Sequence, residues 1–515
     1  MQHVTRAASI TMAIAGFAAC GNNNSGQAPS APAAPERGSL LQSPVQEVAS
    51  YSTSDLLALL PGSSLGKILL SLAYSPLCTI TIYHIEYETV DPAQNLTAAS
   101  GALMVPSGPS GCEGGRPIVM YAHGTQTNSA FNIAQVTASG NDEGLLLAAV
   151  FAASGYIVVA PNYVGYDIST LGYHPYLVAV QQSDDMIDAL RAARSALPTA
   201  AAPNTTDGGK LFLTGYSQGG YVAMATHRAM QAAGMSVTAA APLSGPYTLS
   251  AFADAIFEGE VNLSATENFA LLVTSYHHAY GNVYTAPSDV FNAAYAGDIT
   301  TLLPSATPMS QLEAAGKIPA SQLFSNTPPA ASYAGITPAT SPANLAPAFQ
   351  LGFGPGYLIT NAYRLSYLQD AQSAPDGGFP TITDGQPPST PKNTLRQDLK
   401  SNDLRTWAPT APVLLCGGSS DPTVFYRNTQ LVQHYWAASA PNAAVAVLDV
   451  DSPVAANDPH AALKNGFVAA KDLVIAAAVA GGAADGGALA VLEAYHAGLV
   501  PPFCLSAAKA FFDAH

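Results

Sequence analysis

The residues best suited to chemistry in this sequence form the pentapeptide Gly215-Tyr216-Ser217-Gln218-Gly219. It matches the pattern G-x-S-x-G, follows the apolar run 211–213 and precedes a helical pattern over 220–230. A serine on a sharp strand-to-helix turn presents its hydroxyl above the edge of the sheet. Glycines flank such a serine because strand and helix approach closely there. We therefore predict that Ser217 is a nucleophile, the alternative being a structural turn with an inert serine.

A nucleophilic serine needs a histidine to accept its proton and a carboxylate to orient that histidine. When the serine lies on such a turn, the acid and then the histidine follow it along the chain. Asp421 comes shortly after an apolar run that ends at Cys416, which places its carboxylate at the carboxyl end of a strand. His460 lies after the last strand-like run and before an apparent helix over 461–470. We predict a triad of Ser217, Asp421 and His460.

Other acids and histidines compete for these two roles. Asp449 and Asp451 also follow a strand-like run, but they lie too close to His460 in sequence to leave room for the strand and helix expected between acid and base. We interpret them as loop carboxylates. His434 and His496 lie in helix-like segments and are interpreted as helix-surface histidines. His277 and His278 lie in the inserted segment and are interpreted as structural, with contact to substrate as the alternative.

A tetrahedral intermediate also requires hydrogen-bond donors aimed at its oxyanion. The residue after the nucleophile supplies one backbone N–H, which here is that of Gln218. The loop that follows the third strand-like run carries His123-Gly124-Thr125 and is expected to supply the other. We predict the second donor in the Gly124–Thr125 region, with Thr125 preferred, while His123 braces the loop.

Two tyrosines follow the fourth strand-like run. Tyr163 and Tyr166 stand in the segment 160–167 with a glycine between them. Aromatic side chains on a strand-end loop can line a substrate pocket. We predict that they contact substrate, with a packed loop as the alternative.

Composition narrows the possible classes of function. The chain has 515 residues, of which 48% are hydrophobic and 10% are charged, so a large apolar core is expected. Its formal net charge is −16, and no basic run occurs. Because phosphate contacts need clustered cations, nucleic acid is not expected as a partner. No cluster of histidine and cysteine suggests a metal site.

The N-terminus has the features of an export signal. Arg6 precedes a short apolar stretch over 7–19 that is too short to span a bilayer. Small residues then lead to Cys20, an arrangement that resembles a bacterial lipobox, although Phe17 replaces the usual leucine. We predict a signal peptide over 1–20 and an exported protein, either an outer-membrane lipoprotein acylated at Cys20 or a periplasmic or extracellular protein after ordinary signal cleavage.

Four cysteines remain after Cys20. An even number of cysteines in an exported protein indicates two disulfides. Three pairings of Cys78, Cys112, Cys416 and Cys504 are possible. We favour Cys78 with Cys112 and Cys416 with Cys504, because each pair is local to one part of the chain.

Apolar runs and helical patterns alternate along most of the sequence, which predicts a mostly parallel sheet covered by helices. We count eight strands, of which the first two are expected to be antiparallel. Alternation stops between about 246 and 405, where prolines are frequent. The predicted organisation is therefore a tether over 21–50, a core over 51–245, a mainly helical cap over 246–405 and the rest of the core over 406–515.

These residues together resemble the α/β-hydrolase family. The likeness rests on His123-Gly124-Thr125, on 159–163, on the pentapeptide around Ser217, and on Asp421 and His460. It implies the α/β-hydrolase fold, with a large inserted cap like that of secretory lipases and exported esterases. It further implies a serine esterase or lipase that acts without metal or organic cofactor. Asn162 departs from the aspartate common among relatives, which leaves a loop-bracing salt bridge there in doubt.

We therefore expect an exported hydrolase of carboxylic esters, small or polymeric. Two other functions remain open, namely a prolyl-type serine peptidase and a surface-anchored binding lipoprotein without activity. Apolar residues of the cap either contact an apolar part of the substrate or form the cap's own core: Phe252, Phe257, Phe269, Leu271, Leu272, Phe349 and Phe353.

Overall fold

The computed structural model describes residues 36–200 and 204–515. Glu36–His515 form one compact unit. The predicted signal peptide, Cys20 and the first part of the predicted tether lie outside the described residues.

A single sheet of nine strands forms the centre of this unit. The strands are β1 (Gln46–Tyr51), β2 (Thr79–Val90), β3 (Leu96–Ser107), β4 (Gly114–Ala122), β5 (Ile157–Pro161), β6 (Thr205–Tyr216), β7 (Ala239–Leu243), β8 (Val413–Gly417) and β9 (Val445–Asp449).

The strand order is β1-β2-β3-β5-β4-β6-β7-β8-β9. The pairs β1–β2, β2–β3 and β3–β5 are antiparallel, and all pairs from β5 to β9 are parallel. The central strands β5, β7 and β8 are buried along their whole length, as expected for parallel strands covered on both faces. The predicted α/β-hydrolase class, with a mostly parallel sheet, is confirmed.

The predicted number of strands was one too low. All eight expected strands are present, and β1 (Gln46–Tyr51) is added at the edge, inside the segment predicted to be a tether. Its side chains are mostly exposed, and its register on β2 shifts between Glu47 and Ala49. An exposed, irregular edge strand has little apolar alternation, so its sequence resembles that of a loop.

Helices surround the sheet. They are α1 (Thr53–Leu59), α2 (Ser64–Ser71), α3 (Asp142–Val150), α4 (Ala179–Ala196), α5 (Gln218–Ala232), α6 (Leu249–Phe257), α7 (Ala265–Tyr280), α8 (Met309–Ala314), α9 (Ala346–Leu351), α10 (Asn361–Ser373), α11 (Thr394–Ser401), α12 (Arg427–Ser439), α13 (Ala461–Ala480), α14 (Ala488–Ala494) and α15 (Val500–Asp513).

The long segment between β7 and β8 contains α6 to α11 and corresponds to the predicted cap. Buried ion pairs hold it together: the Arg396 guanidinium on α11 lies 2.8 Å from carboxylate oxygens of both Asp254 on α6 and Asp370 on α10. A buried arginine that meets two carboxylates recovers part of its desolvation cost through several charge-assisted hydrogen bonds. These contacts fix the mutual orientation of three cap helices.

The chain ends in a continuous helical stretch over Ala488–Asp513. By length and composition this stretch is apolar enough to cross a membrane, but 56% of its most apolar window is buried inside the fold. Such burial is typical of a core helix in a globular protein. One turn within it, Tyr495–Leu499, is π-helical.

Both favoured cysteine pairings are confirmed. Cys78 is bonded to Cys112, and Cys416 to Cys504. The second disulfide joins β8 to α15, and thus connects the last part of the sheet to the C-terminal helix.

Candidate active site

Ser217 occupies a strained turn between β6 and α5. Its backbone has φ +60° and ψ −122°, a conformation that L-amino acids rarely adopt, and its N–H donates to the Leu243 carbonyl at 3.0 Å. A backbone held in this way directs the side chain away from the sheet. The turn expected from the pentapeptide is therefore present.

The glycines beside Ser217 are required by close backbone contacts. A Cβ on Gly219 would lie 1.8 Å from the carbonyl oxygen of Ala122, and one on Gly215 would lie 2.3 Å from the carbonyl oxygen of Gly219. No side chain fits at either position without moving the backbone. Strand β4, helix α5 and the turn thus approach each other more closely than any residue but glycine allows.

A histidine lies beside the serine hydroxyl. Nε2 of His496 is 2.8 Å from Oγ of Ser217, and Nδ1 of the same ring is 2.7 Å from Oδ2 of Asp421. Because a carboxylate only accepts hydrogen bonds, Nδ1–H of His496 donates to Asp421. Nε2 is then the acceptor for the Ser217 hydroxyl proton. This is the arrangement in which an imidazole can act as a general base.

Asp421 is held rigidly in this arrangement. It is 1% exposed, and its second carboxylate oxygen accepts the backbone N–H groups of Thr423 and Val424 at 2.9 and 3.0 Å. Oδ2 is thereby left for the imidazole. The structure places Asp421 on the loop after β8, as the sequence predicted.

His460 does not occupy the position predicted for it, because the imidazole that contacts Ser217 and Asp421 is that of His496. His460 precedes α13, and its backbone N–H donates to Asp458 at 2.8 Å. The structure therefore brings together Ser217 and Asp421 but not His460. Asp449 and Asp451 contact the Ser419 N–H and Lys471 instead, which agrees with their interpretation as loop carboxylates.

Two of the three predicted oxyanion residues have backbone N–H groups that point to no protein acceptor. Within 36–200 and 204–515, neither the N–H of Gln218 nor that of Thr125 donates a hydrogen bond to the protein, and both residues line the same pocket as Ser217. Gly124 differs, because its N–H donates to both carboxylate oxygens of Glu143 at 3.1 and 3.2 Å. The prediction of Gly124 as a donor is wrong for that reason.

The side chain of Gln218 is fixed behind the serine by a buried histidine. Its Nε2 lies 2.7 Å from Nε2 of His174, whose Nδ1 lies 2.8 Å from the Val164 carbonyl. Burial lowers the pKa of His174 to about 3, which keeps this ring neutral and able to accept from the amide. A network of this kind orients the first turn of α5.

Tyr163 and Tyr166 brace the loop from behind and do not line the pocket, so the prediction of substrate contact is wrong. Both are fully buried, and their hydroxyls donate to the carbonyls of His123 and Gln126 at 3.0 and 2.7 Å. The ring of Tyr163 stacks on His123 with centroids 4.1 Å apart. The tyrosines follow a strand end, as substrate-contacting residues do, but their hydroxyls are committed to the loop backbone.

His123 braces the loop as expected. Its ring nitrogens face the carbonyls of Gly124 and Asn162 at 2.7 and 3.0 Å, and burial lowers the pKa of its imidazole to about 4.

Comparison with solved structures places the chain among known folds. The crystal structure of the rice cell wall degrading esterase LipA from Xanthomonas oryzae is 26% identical, with a TM-score of 0.62 over 86% of this chain and 100% of that chain. A ligand-bound form of the same esterase is 27% identical, with a TM-score of 0.61 over 81% and 91% of the two chains. These similarities support an esterase/lipase family of the α/β-hydrolase-like type for this chain.

A further structural relative shares the fold of this α/β-hydrolase. A candidate hydrolase from Legionella pneumophila is 21% identical, with a TM-score of 0.58 over 83% of this chain and 96% of that chain. No family model matches the sequence, and a search of curated proteins finds no match either. The similarity to LipA supports ester hydrolase activity for this α/β-hydrolase.

An apolar pocket of this α/β-hydrolase opens onto Ser217. It has a volume of about 70 Å³, and Thr125, Tyr176 and Gln218 form its polar side. Much of its apolar wall comes from the helices α6 and α7, and α11 adds Leu395 and Leu399; the residues from α6 and α7 include Leu249, Phe252, Ala253, Phe257, Phe269 and Leu272. Four of the cap residues singled out in the sequence therefore line the pocket, whereas Leu271, Phe349 and Phe353 pack within the protein.

The sequence around His496 has a feature that indicates a functional position, and it was overlooked because the segment has a helical pattern. His496 lies in a helical stretch, which suggested a surface histidine, but Gly498 and the pair Pro501-Pro502 follow closely and disturb a regular helix. The π-helical turn at Tyr495–Leu499 is the result, and such turns are frequent at functional sites. The Cys416–Cys504 disulfide places the following helix, α15, beside the strand that leads to Asp421, and the favoured pairing was a second signal that was not used.

Proposed function

We propose that this protein is an exported serine carboxylic ester hydrolase, an esterase or lipase, with Ser217 as nucleophile, His496 as general base and Asp421 as the orienting acid. The observation that carries the proposal is the pair of hydrogen bonds of His496, at 2.8 Å to Oγ of Ser217 and 2.7 Å to Oδ2 of Asp421. A hydroxyl and a carboxylate on opposite nitrogens of one imidazole match the geometry that activates serine.

The reaction begins when Oγ of Ser217 attacks the ester carbonyl and Nε2 of His496 accepts its proton. Asp421 stabilises the imidazolium that forms. The carbonyl oxygen becomes an oxyanion, which the backbone N–H groups of Gln218 and Thr125 stabilise. The imidazolium then protonates the leaving alkoxide, and an acyl-enzyme remains on Ser217.

Water completes the cycle. His496 accepts a proton from a water molecule, which attacks the acyl carbonyl, and the second tetrahedral intermediate collapses to release the acid and restore the Ser217 hydroxyl. No metal and no organic cofactor enters any of these steps.

The substrates proposed are carboxylic esters with an apolar group that fits between α6 and α7. The wall of aliphatic and aromatic side chains beside Ser217 supports this class, since an apolar group gains free energy when it leaves water for such a wall. The likeness to a rice cell wall degrading esterase supports esters as the substrate class and leaves small and polymeric esters both open.

Export is part of the proposal. Two disulfides within one chain are typical of proteins that fold in an oxidising compartment. Acylation at Cys20 remains a prediction from the sequence, with anchoring to the outer membrane as its consequence.

The proposal is tested with the purified chain and p-nitrophenyl acetate or butyrate. A burst of p-nitrophenol equal to the enzyme concentration, followed by slower turnover, is expected from acyl-enzyme formation. Ser217→Ala is expected to abolish both phases. Equal turnover by wild type and Ser217→Ala contradicts the proposal, and turnover of prolyl amides in preference to esters favours a peptidase.

A further inference from the structure

Glu143 is a carboxyl group beside the proposed site that the mechanism above does not use. It lies in the first turn of α3, where its two oxygens accept the N–H of Gly124 at 3.1 and 3.2 Å, and the hydroxyl of Tyr121 donates to one of them. Gly124 directly precedes Thr125, whose N–H is a proposed oxyanion donor. The carboxyl group is therefore bonded to the peptide next to that donor.

The distance between Glu143 and the serine is short. A Cβ placed on Gly124 would lie 3.6 Å from Oε2 of Glu143 and 3.7 Å from Cβ of Ser217. Gly124 is therefore near both Glu143 and Ser217. His496 is close enough to interact electrostatically with the carboxyl group. Glu143 is half-buried and lies close to the reacting groups.

We propose that the ionised carboxylate of Glu143 is a positioning residue, which holds the Gly124 peptide so that the N–H of Thr125 faces the oxyanion. This inference rests on the proposed function. The peptide that carries the Thr125 N–H has its carbonyl, that of Gly124, 2.7 Å from Nδ1 of His123, and Glu143 fixes the preceding peptide through the Gly124 N–H. A carboxylate can accept from Gly124 and Tyr121 together, whereas a carboxylic acid carries a proton that competes with them.

The protonation of Glu143 falls within the working range of an esterase. Burial raises the pKa of its carboxyl group to about 7, and the Tyr121 hydroxyl, the Gly124 N–H and the charge on His496 oppose this rise. The other titratable groups that face it are Tyr163 and Tyr216, which stay neutral because burial raises the pKa of each well above 10.

Protonation of Glu143 at low pH should lower the activity. As the pH falls through about 7, Glu143 gains a proton and Gly124 loses one acceptor, so the loop is less well aligned. The imidazole of His496 must also be unprotonated to accept the Ser217 proton. Activity should therefore fall more steeply below about pH 7 than it would if Glu143 did not gain a proton.

The test compares wild type, Glu143→Gln and Asp142→Asn with p-nitrophenyl butyrate between about pH 5 and pH 9. Glu143→Gln is expected to reduce kcat about 10- to 100-fold with little change in KM, and to make the acid-side slope of log(kcat/KM) shallower than that of wild type. Asp142 is the exposed neighbour in α3 and serves as the matched control, so Asp142→Asn should keep the wild-type rate and slope.

Tyr121→Phe is a second variant that keeps the carboxyl group and removes one hydrogen bond that stabilises its ionised form. Its acid limb is expected to move to higher pH, which a purely structural role of Glu143 does not predict. This variant carries the test if Glu143→Gln does not fold, as judged by circular dichroism.

Two results overturn the inference: an acid-side slope and kcat in Glu143→Gln that equal those of wild type, or an unshifted acid limb in Tyr121→Phe. Failure of the proposed function has a different signature, because wild type would then be inactive on esters and Ser217 would not react with a fluorophosphonate.

Discussion

Cys416 and Cys504 form a disulfide that links the strand leading to Asp421 with the helix following His496. The proposed acid and base therefore lie on two chain segments that are covalently joined next to the site. His496 lies on a π-helical turn and not on a sheet loop, so this bond adds to the hydrogen bonds of His496 with Asp421 and Tyr216 in fixing the imidazole relative to the carboxylate.

Removal of this disulfide is expected to reduce both stability and catalysis. The bond closes a loop with a sequence separation of 88 residues, and its loss in Cys416→Ala/Cys504→Ala should lower the free energy of unfolding by about 2–5 kcal/mol. Release of the His496 helix should also lower kcat, by up to about 100-fold for a displacement of about 1 Å. Urea unfolding and kcat at a temperature where the variant is folded measure the two effects.

The other disulfide provides the matched control. Cys78→Ala/Cys112→Ala removes a bond with a sequence separation of 34 residues that joins the segments before β2 and β4. It should destabilise the protein comparably and leave kcat of the folded enzyme unchanged. An equal loss of kcat in both double variants would show that the position of the disulfide is unimportant.

Gly219→Ala is expected to prevent formation of the turn around Ser217. The added methyl group would lie 1.8 Å from the Ala122 carbonyl oxygen, so β4 and α5 must separate. We expect loss of esterase activity and a destabilisation of at least about 3 kcal/mol, near the upper end of single-residue effects. Thermal unfolding and ester turnover are the measurements.

Gly297→Ala is the matched control for that substitution. A Cβ on Gly297 meets no atom within 4 Å, and its backbone φ is not positive. Stability and activity should stay at wild-type values. A folded, active Gly219→Ala enzyme would refute the account of the turn.

The apolar wall of the pocket predicts a preference for acyl length that a single substitution should change. Ala253 lines the pocket from α6, and a larger side chain there reduces a volume of about 70 Å³. In Ala253→Phe, kcat/KM for octanoate should fall relative to that for acetate by about 10-fold, the effect of losing room for one or two methylenes. The ratio of the two esters is measured because it cancels general losses of stability. An unchanged ratio would place the acyl group elsewhere.

The sheet could be predicted from the sequence because buried parallel strands are continuous apolar runs. All eight runs that were identified became strands, and the long proline-rich interruption lies between β7 and β8, where it forms α6 to α11. The exposed edge strand Gln46–Tyr51 was missed because it has no buried face to impose an apolar pattern. An apolar pattern arises only where one or both faces of an element are buried, so an exposed element cannot be recognised from it.

The site was predicted only as far as local sequence determines it. Ser217 lies in a turn whose glycines are dictated by backbone contacts, and Asp421 follows a strand end, so both have local signatures. His496 approaches them through tertiary packing, from a helix about 280 residues beyond the serine. Tyr163 and Tyr166 have a local signature, a position after a strand end, but that position does not determine which side of the loop a ring packs against.

The choice between His496 and His460 is the most direct test of the account. We predict that His496→Ala lowers kcat/KM for p-nitrophenyl butyrate by at least about 10⁴-fold, as loss of a general base does, and abolishes labelling of Ser217 by a fluorophosphonate. His460→Ala should retain wild-type turnover and labelling. Full activity in His496→Ala, together with its loss in His460→Ala, would contradict the central claim.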